Sequence, residues 1–167
     1  MPELFTEFVV TAPADAVWDV VGRRFDRIGA WATAVPASAA LPAQPGGPPV
    51  AGRVCTTGVR LVPRVTETLV AYDEANRTLT YEGSGLPRFV TRARNTWTVT
   101  PVGDGRCRVT MRARFDTRGL LGRLGRSVIL AQTWRTSRYL ADDLRRYVET
   151  GRPSPRKQRQ LRRAGHR

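Results

Sequence analysis

The chain has 167 residues, enough for one domain with its own core, and an ordinary globular composition. No apolar run approaches the ~20 residues that cross a membrane. Met1–Leu4 lacks the basic-then-apolar order of a signal peptide, so a cytoplasmic protein is expected. The net charge of +14 is unevenly placed: residues 151–167 hold six Arg and one Lys without an acid, while residues 1–150 hold 21 basic and 14 acidic residues. Lys157 is the only lysine, and an Arg-for-Lys bias beside abundant Ala, Gly and Pro reads as genome composition more than as function.

Glu3–Ala12 alternates and is rich in Phe, Val and Thr, which predicts a strand. Pro13 suits a first helical position and Asp15 the positive end of that helix; Val17, Trp18 and Val21 supply its buried face, and Gly22 ends it. Phe25–Trp31 predicts a second short helix with Phe25 and Ile28 inward. Val35–Leu41 is a further short-strand candidate, and Leu41–Pro49, with four Pro and two Gly, is loop.

An antiparallel meander follows: Gly52–Gly58, Arg64–Tyr72, Thr78–Gly83, Phe89–Pro101 and Arg106–Asp116, with turns at Asp73–Arg77 and Gly103–Gly105. Parity assigns the faces. Cys107, Val109, Met111, Ala113 and Phe115 share one face, and Arg106, Arg108, Arg112 and Arg114 the other. By the same rule Thr91, Ala93, Asn95, Trp97 and Val99 point inward, as do Val65, Glu67, Leu69 and Ala71, then Leu79 and Tyr81. Cys55 and Cys107 lie in strand-like stretches without CxxC spacing, and buried free thiols are expected.

Gly119–Arg126 reads as a flexible approach, either irregular or with a turn of helix of its own, to a long helix over Ser127–Thr150. Leu130, Trp134, Ser137, Ala141, Leu144 and Val148 step by four and three, so they share one face. A single long helix after a curved antiparallel sheet buries that face on the concave side, leaving a cavity between. Gly151 caps the helix, Pro153 and Pro155 block its continuation, and residues 151–167 are expected to form a disordered basic tail. Such a tail is either merely solvated or makes weak, non-specific contact with nucleic acid or an anionic membrane.

The absences are informative. His166 is the only histidine and lies in the tail, which removes Ser-His-Asp and Cys-His nucleophiles and the usual zinc or iron sites from the domain. A tail lysine excludes a Schiff-base enzyme, and no dinucleotide or phosphate-loop motif is present. No cofactor and no metal is implied. Any catalysis would rest on carboxylate, Tyr, Arg, Ser/Thr or water.

Ala14–Trp18 (ADAVW), Trp31, Asn95–Val99 (NTWTV) running on to Gly103–Gly105, and Leu140–Leu144 resemble the START-like (SRPBCC), helix-grip superfamily over residues 1–150. More narrowly they resemble its bacterial polyketide cyclase/dehydrase and lipid-transport group, which shares the birch-pollen-allergen fold. The resemblance implies an α+β fold: a curved seven-stranded antiparallel sheet around a C-terminal helix, two short helices after the first strand, and a hydrophobic-ligand cavity. It does not imply one reaction, since members include carriers, receptors and cyclases. Two functions follow as expectations: binding of a lipid- or polyketide-like molecule, or an aromatase/cyclase or dehydratase acting by pocket-enforced folding and acid/base chemistry.

Glu67 and Tyr81 are the catalytic candidates. A carboxylate facing an apolar cavity has a raised pKa and can exchange protons; the competing reading is that the strand twists and Glu67 pairs with an arginine at the cavity rim. Tyr81 is either a proton donor or a core aromatic. Thr91 and Asn95 are placed to orient a ligand carbonyl or hydroxyl, beside Trp97 and Met111. Trp134 and Ser137 lie on the expected closing face of the helix, and Trp31 at the cavity end.

Overall fold

The computed structural model describes residues 3–43, 45–48, 50–60 and 62–165; the side chains of residues 121, 123, 124 and 126 are outside that description, as is His166. The elements are β1 (Glu3–Val10), α1 (Ala14–Trp18), a π turn (Asp19–Arg23), a 3-10 turn (Phe25–Arg27) and α2 (Ile28–Trp31). Then follow β2 (Ala37–Leu41), β3 (Gly52–Val59), β4 (Val62–Asp73), β5 (Thr78–Ser84), β6 (Val90–Gly103) and β7 (Arg106–Thr117). Two helices close the chain, α3 (Gly119–Thr150) and α4 (Pro155–Ala164).

One seven-stranded antiparallel sheet runs β1-β7-β6-β5-β4-β3-β2. The first strand returns to pair with the last, which closes the N-terminus onto the meander and leaves α3 to cross the concave face against β1 and β7. This is the helix-grip fold expected from the element order. Its solid core lies at one end, where Trp18, Phe25, Trp31, Trp97, Met111 and Leu144 are buried together. Cys55 and Cys107 are buried free thiols.

Parity holds through most of the sheet. Cys107, Val109, Met111 and Ala113 are buried, while Arg106, Arg108, Arg112 and Arg114 are exposed. It breaks where the register slips. Between Leu69 and Ala71 the pairing with β5 shifts, Val70 is 48% exposed, and Tyr72 instead of the expected Ala71 turns toward the core. Between Val90 and Arg92 the pairing with β7 shifts as well, and Thr91 is exposed, its hydroxyl donating to the Asp116 carbonyl. A slip of one residue flips every side chain across it.

Two further expectations are corrected. Gly119–Arg126 is not an approach to the long helix but its first two turns. Its small residues permit close packing: a Cβ on Gly122 would stand 3.0 Å from Thr117 Cβ. The chain from Gly151 to Gly165 is also ordered. Gly151 takes the left-handed φ of 68° that ends α3, and α4 then folds back, capped by the Ser154 hydroxyl with Pro155 in its first turn.

Lys157 anchors α4. Its side chain is fully buried, and Nζ donates to the carbonyls of Val35 (2.7 Å) and Pro36 (3.2 Å) and to Gln160 Oε1 (2.8 Å). Thr33 completes the joint, contacting Ser154 through its hydroxyl and Asp143 through its amide. A buried ammonium is tolerated only when its three protons find acceptors, and here they do.

On the far side, Glu74 in the β4–β5 turn ties α1 to the sheet. It accepts from Trp18 Nε1 (2.9 Å), Tyr72 Oη (2.7 Å) and Arg23 Nε (2.7 Å). Hydrogen bonds from Tyr72 and Trp18, then from Arg23, hold its carboxyl near pKa 2.

Two outcomes follow. A depressed carboxylate pKa contributes stability that is complete above the unfolded value of about 4.5 and fades as pH falls toward 2. Glu74→Gln should therefore cost about 1 kcal/mol at pH 6, given its exposure, and the gap to wild type in urea-unfolding midpoints should close by pH 2. Deleting residues 153–167 should lower the Tm by several degrees, read by calorimetry, because it strips Val35 and Pro36 of their hydrogen-bond donor.

Candidate functional site

Beyond the solid core the interior is hollow. A cavity of about 710 Å³ lies between α3 and the sheet. Val59, Val62, Val65, Leu86, Ala93 and Phe115 form its apolar wall, and Gly83 leaves a position without a side chain there. From α3 come Thr133, Thr136, Ser137 and Leu140; Thr33–Pro36 and Gln160 of α4 bound it on the remaining side. Apart from Leu140, α3 presents polar residues to the hollow, whereas further along it presents Ala141 and Leu144 to packed core.

A charged pair sits where hollow meets core. Arg53 on β3 stands opposite Glu67 on β4, and Nε donates to Glu67 Oε2 at 2.5 Å. Arg53 is 4% exposed. Its Nη1 donates to the Phe25 carbonyl, and its guanidinium lies 3.8 Å from the Phe25 ring centroid and 5.4 Å from that of Tyr81. Burial opposes its charge, but the Glu67 carboxylate beside it more than offsets this and holds its pKa above the usual value. Cys55 Sγ approaches the same carboxylate at 3.7 Å, and burial, reinforced by Glu67, pushes its thiol up to about 12.

Tyr81 and Asn95 face each other across β5 and β6, with Asn95 Nδ2 donating to Tyr81 Oη at 3.0 Å. Burial, then Glu67, pushes the Tyr81 phenol well above its ordinary value, so it remains protonated at neutral pH. Asn95 Oδ1 is buried with no hydrogen-bond partner. Among the described residues no group of three His, Cys, Asp or Glu side chains could hold a metal ion.

The family model for polyketide cyclase / dehydrase and lipid transport matches residues 1–149. The chain belongs to that family. It is 32% identical to a Thermobifida fusca protein solved by NMR, over 77% of this chain and 83% of that one, with a TM-score of 0.60. It also resembles the Zhui aromatase/cyclase from Streptomyces sp. R1128 (17% identity, 92% and 99% coverage, TM-score 0.72) and a START superfamily protein from Mycobacterium smegmatis (13%, 88% and 97%, 0.69). At those identities the last two likenesses show the fold alone. No curated protein matches the chain.

Within this family fold, the cavity brings together four of the residues singled out from sequence: Glu67, Tyr81, Asn95 and Ser137. Trp31, Trp97 and Met111 are 2–3% exposed and belong to the solid core. Thr91 lies outside, beyond its register slip. Trp134 does not close the cavity: it is 49% exposed under the Arg138 guanidinium. Thr133 lines the hollow, and one residue further carries Trp134 about 100° round the helix.

Arg53 is the residue that sequence reading missed. A plain hairpin counted outward from the Val59–Val62 pair would set Arg53 against Thr68; the irregularity between Thr56 and Val59 sets it against Glu67. The available signal was that an inward Glu67 needs a cation. Removing one partner of a buried pair strands the other. Glu67→Ala should therefore cost about 3–5 kcal/mol in urea unfolding. Joint replacement of Arg53 and Glu67 by Met should cost clearly less than the two single losses combined.

Proposed function

We propose that the protein binds a hydrophobic small molecule, lipid- or polyketide-like, in the cavity between α3 and the sheet. The observation that carries this is the hollow itself: an apolar wall ending in a polar floor of Tyr81, Asn95 and the Arg53–Glu67 pair. A ligand of this kind gains ~25 cal/mol for each Å² of apolar surface it removes from water, and the polar floor gives its inner end groups to orient against.

The alternative, an aromatase/cyclase or dehydratase, asks Glu67 or Tyr81 to move protons. Glu67 is engaged by Arg53, and the Tyr81 phenol is a weaker acid than free tyrosine. A general acid or base works best with a pKa near the operating pH. These features favour holding a ligand over transforming it.

Native mass spectrometry of protein from its own host should show a co-purifying apolar molecule. Filling the hollow with Ala93→Phe or Thr136→Phe should weaken that ligand at least about tenfold, measured by titration, while the Tm moves by only a few degrees. Unaltered affinity in both variants would defeat the proposal. Turnover of a polyketide-like chain that Glu67→Gln abolishes without loss of binding would establish the cyclase/dehydratase reading instead.

A further inference from the structure

The floor of the cavity is electrically balanced, because Glu67 neutralises Arg53 within it. The rim is not. Arg135 and Tyr139 of α3 line the opening, and Arg156 of α4 reaches across to them. Arg156 Cζ stands 5.3 Å from the Tyr139 ring centroid and Arg135 Cζ 5.7 Å, and Arg135 Nε donates to Tyr139 Oη at 3.4 Å. Among the described residues neither guanidinium forms an ion pair. The nearest comparison is the convex face, where Arg94, Arg112 and Arg114 are matched by Glu82 and Glu3.

We infer that Arg135, Arg156 and the Tyr139 hydroxyl form an anion site on the cavity rim, and that the ligand is an amphiphile whose phosphate or carboxylate head sits there while its apolar body fills the hollow. This rests on the cavity being a hydrophobic-ligand site. Two guanidiniums without an ion-pair partner flank the Tyr139 ring, Arg135 and Tyr139 line the cavity, and charge-assisted hydrogen bonds to an oxyanion are the contacts such groups make best. The Tyr139 phenol is held below its ordinary pKa by the Arg135 hydrogen bond and charge, and by Arg156, which reports a positive field at that point. The interior offers the head no unmatched cation, since Glu67 already neutralises Arg53. Val59, Val62, Val65 and Phe115 give the same cavity an apolar wall for the body of the molecule. The site exists only because Lys157, next to Arg156, pins α4 onto Val35 and Pro36.

Calorimetric titration with decyl phosphate, sodium decanoate, decanol and inorganic phosphate tests this. Decyl phosphate or decanoate should bind the wild type about tenfold or more tightly than decanol, and the better of the two names the head group. In the Arg135→Gln/Arg156→Gln variant that advantage should fall below about twofold, with decanol affinity and Tm unchanged because both residues are exposed. Added salt should erode the advantage in the wild type. Equal binding of decanol and both anions by the wild type would overturn the anion site and leave the cavity reading standing. So would an undiminished anionic advantage in the double variant. Inorganic phosphate binding as tightly as decyl phosphate would overturn the amphiphile. Binding of none of the alkyl compounds would remove the cavity reading itself.

Discussion

The interior depends on one contact, the Arg53–Glu67 pair. Arg53 is bonded to the Phe25 carbonyl and stacked on Phe25, both parts of the solid core, while it and Glu67 also face the hollow. A buried ion must be matched and hydrogen-bonded, or it unfolds its surroundings. Matching it fixes β3 against β4 in register and draws the 3-10 turn onto the sheet. It also gives the hollow a polar end that large apolar side chains cannot fill. Core and cavity are therefore separated by chemistry as much as by shape.

Most of the fold was legible because its signals are periodic. The alternation of β7, the four-three steps of α3 and the order of the elements all express how a face meets its neighbour. The site was legible only where periodicity ran unbroken. Glu67, Tyr81 and Asn95 sit on stretches of unbroken parity leading inward. Thr91 and Ala71 were misplaced, each across a register slip that leaves no mark in residue type. Trp134 was misplaced for a different reason. A helix face about 100° wide includes some residues at its edge, and which edge is buried depends on how α3 lies across the sheet. The cavity tryptophans expected from apolarity proved to be core, because large side chains fill space and a cavity is where they are missing.

The tail was the largest difference, and it turns on one residue. Read as composition, seven positive charges without an acid predict a solvated arm. Yet its single lysine is its buried residue, and its exposed residues include Arg152, Arg156, Arg159 and Arg163. An ammonium is a compact point donor that three acceptors can surround, whereas a guanidinium is a wide fork suited to planar oxyanions. Two carbonyls and an amide oxygen at 2.7–3.2 Å form a socket for the first and would leave donors of the second unmatched. In a chain that otherwise uses arginine throughout, lysine at this position is explained by that socket. Because Val35 and Pro36 also bound the cavity, the residue that orders the tail also shapes the opening. The tail thus belongs to the site's architecture and not only to the surface charge.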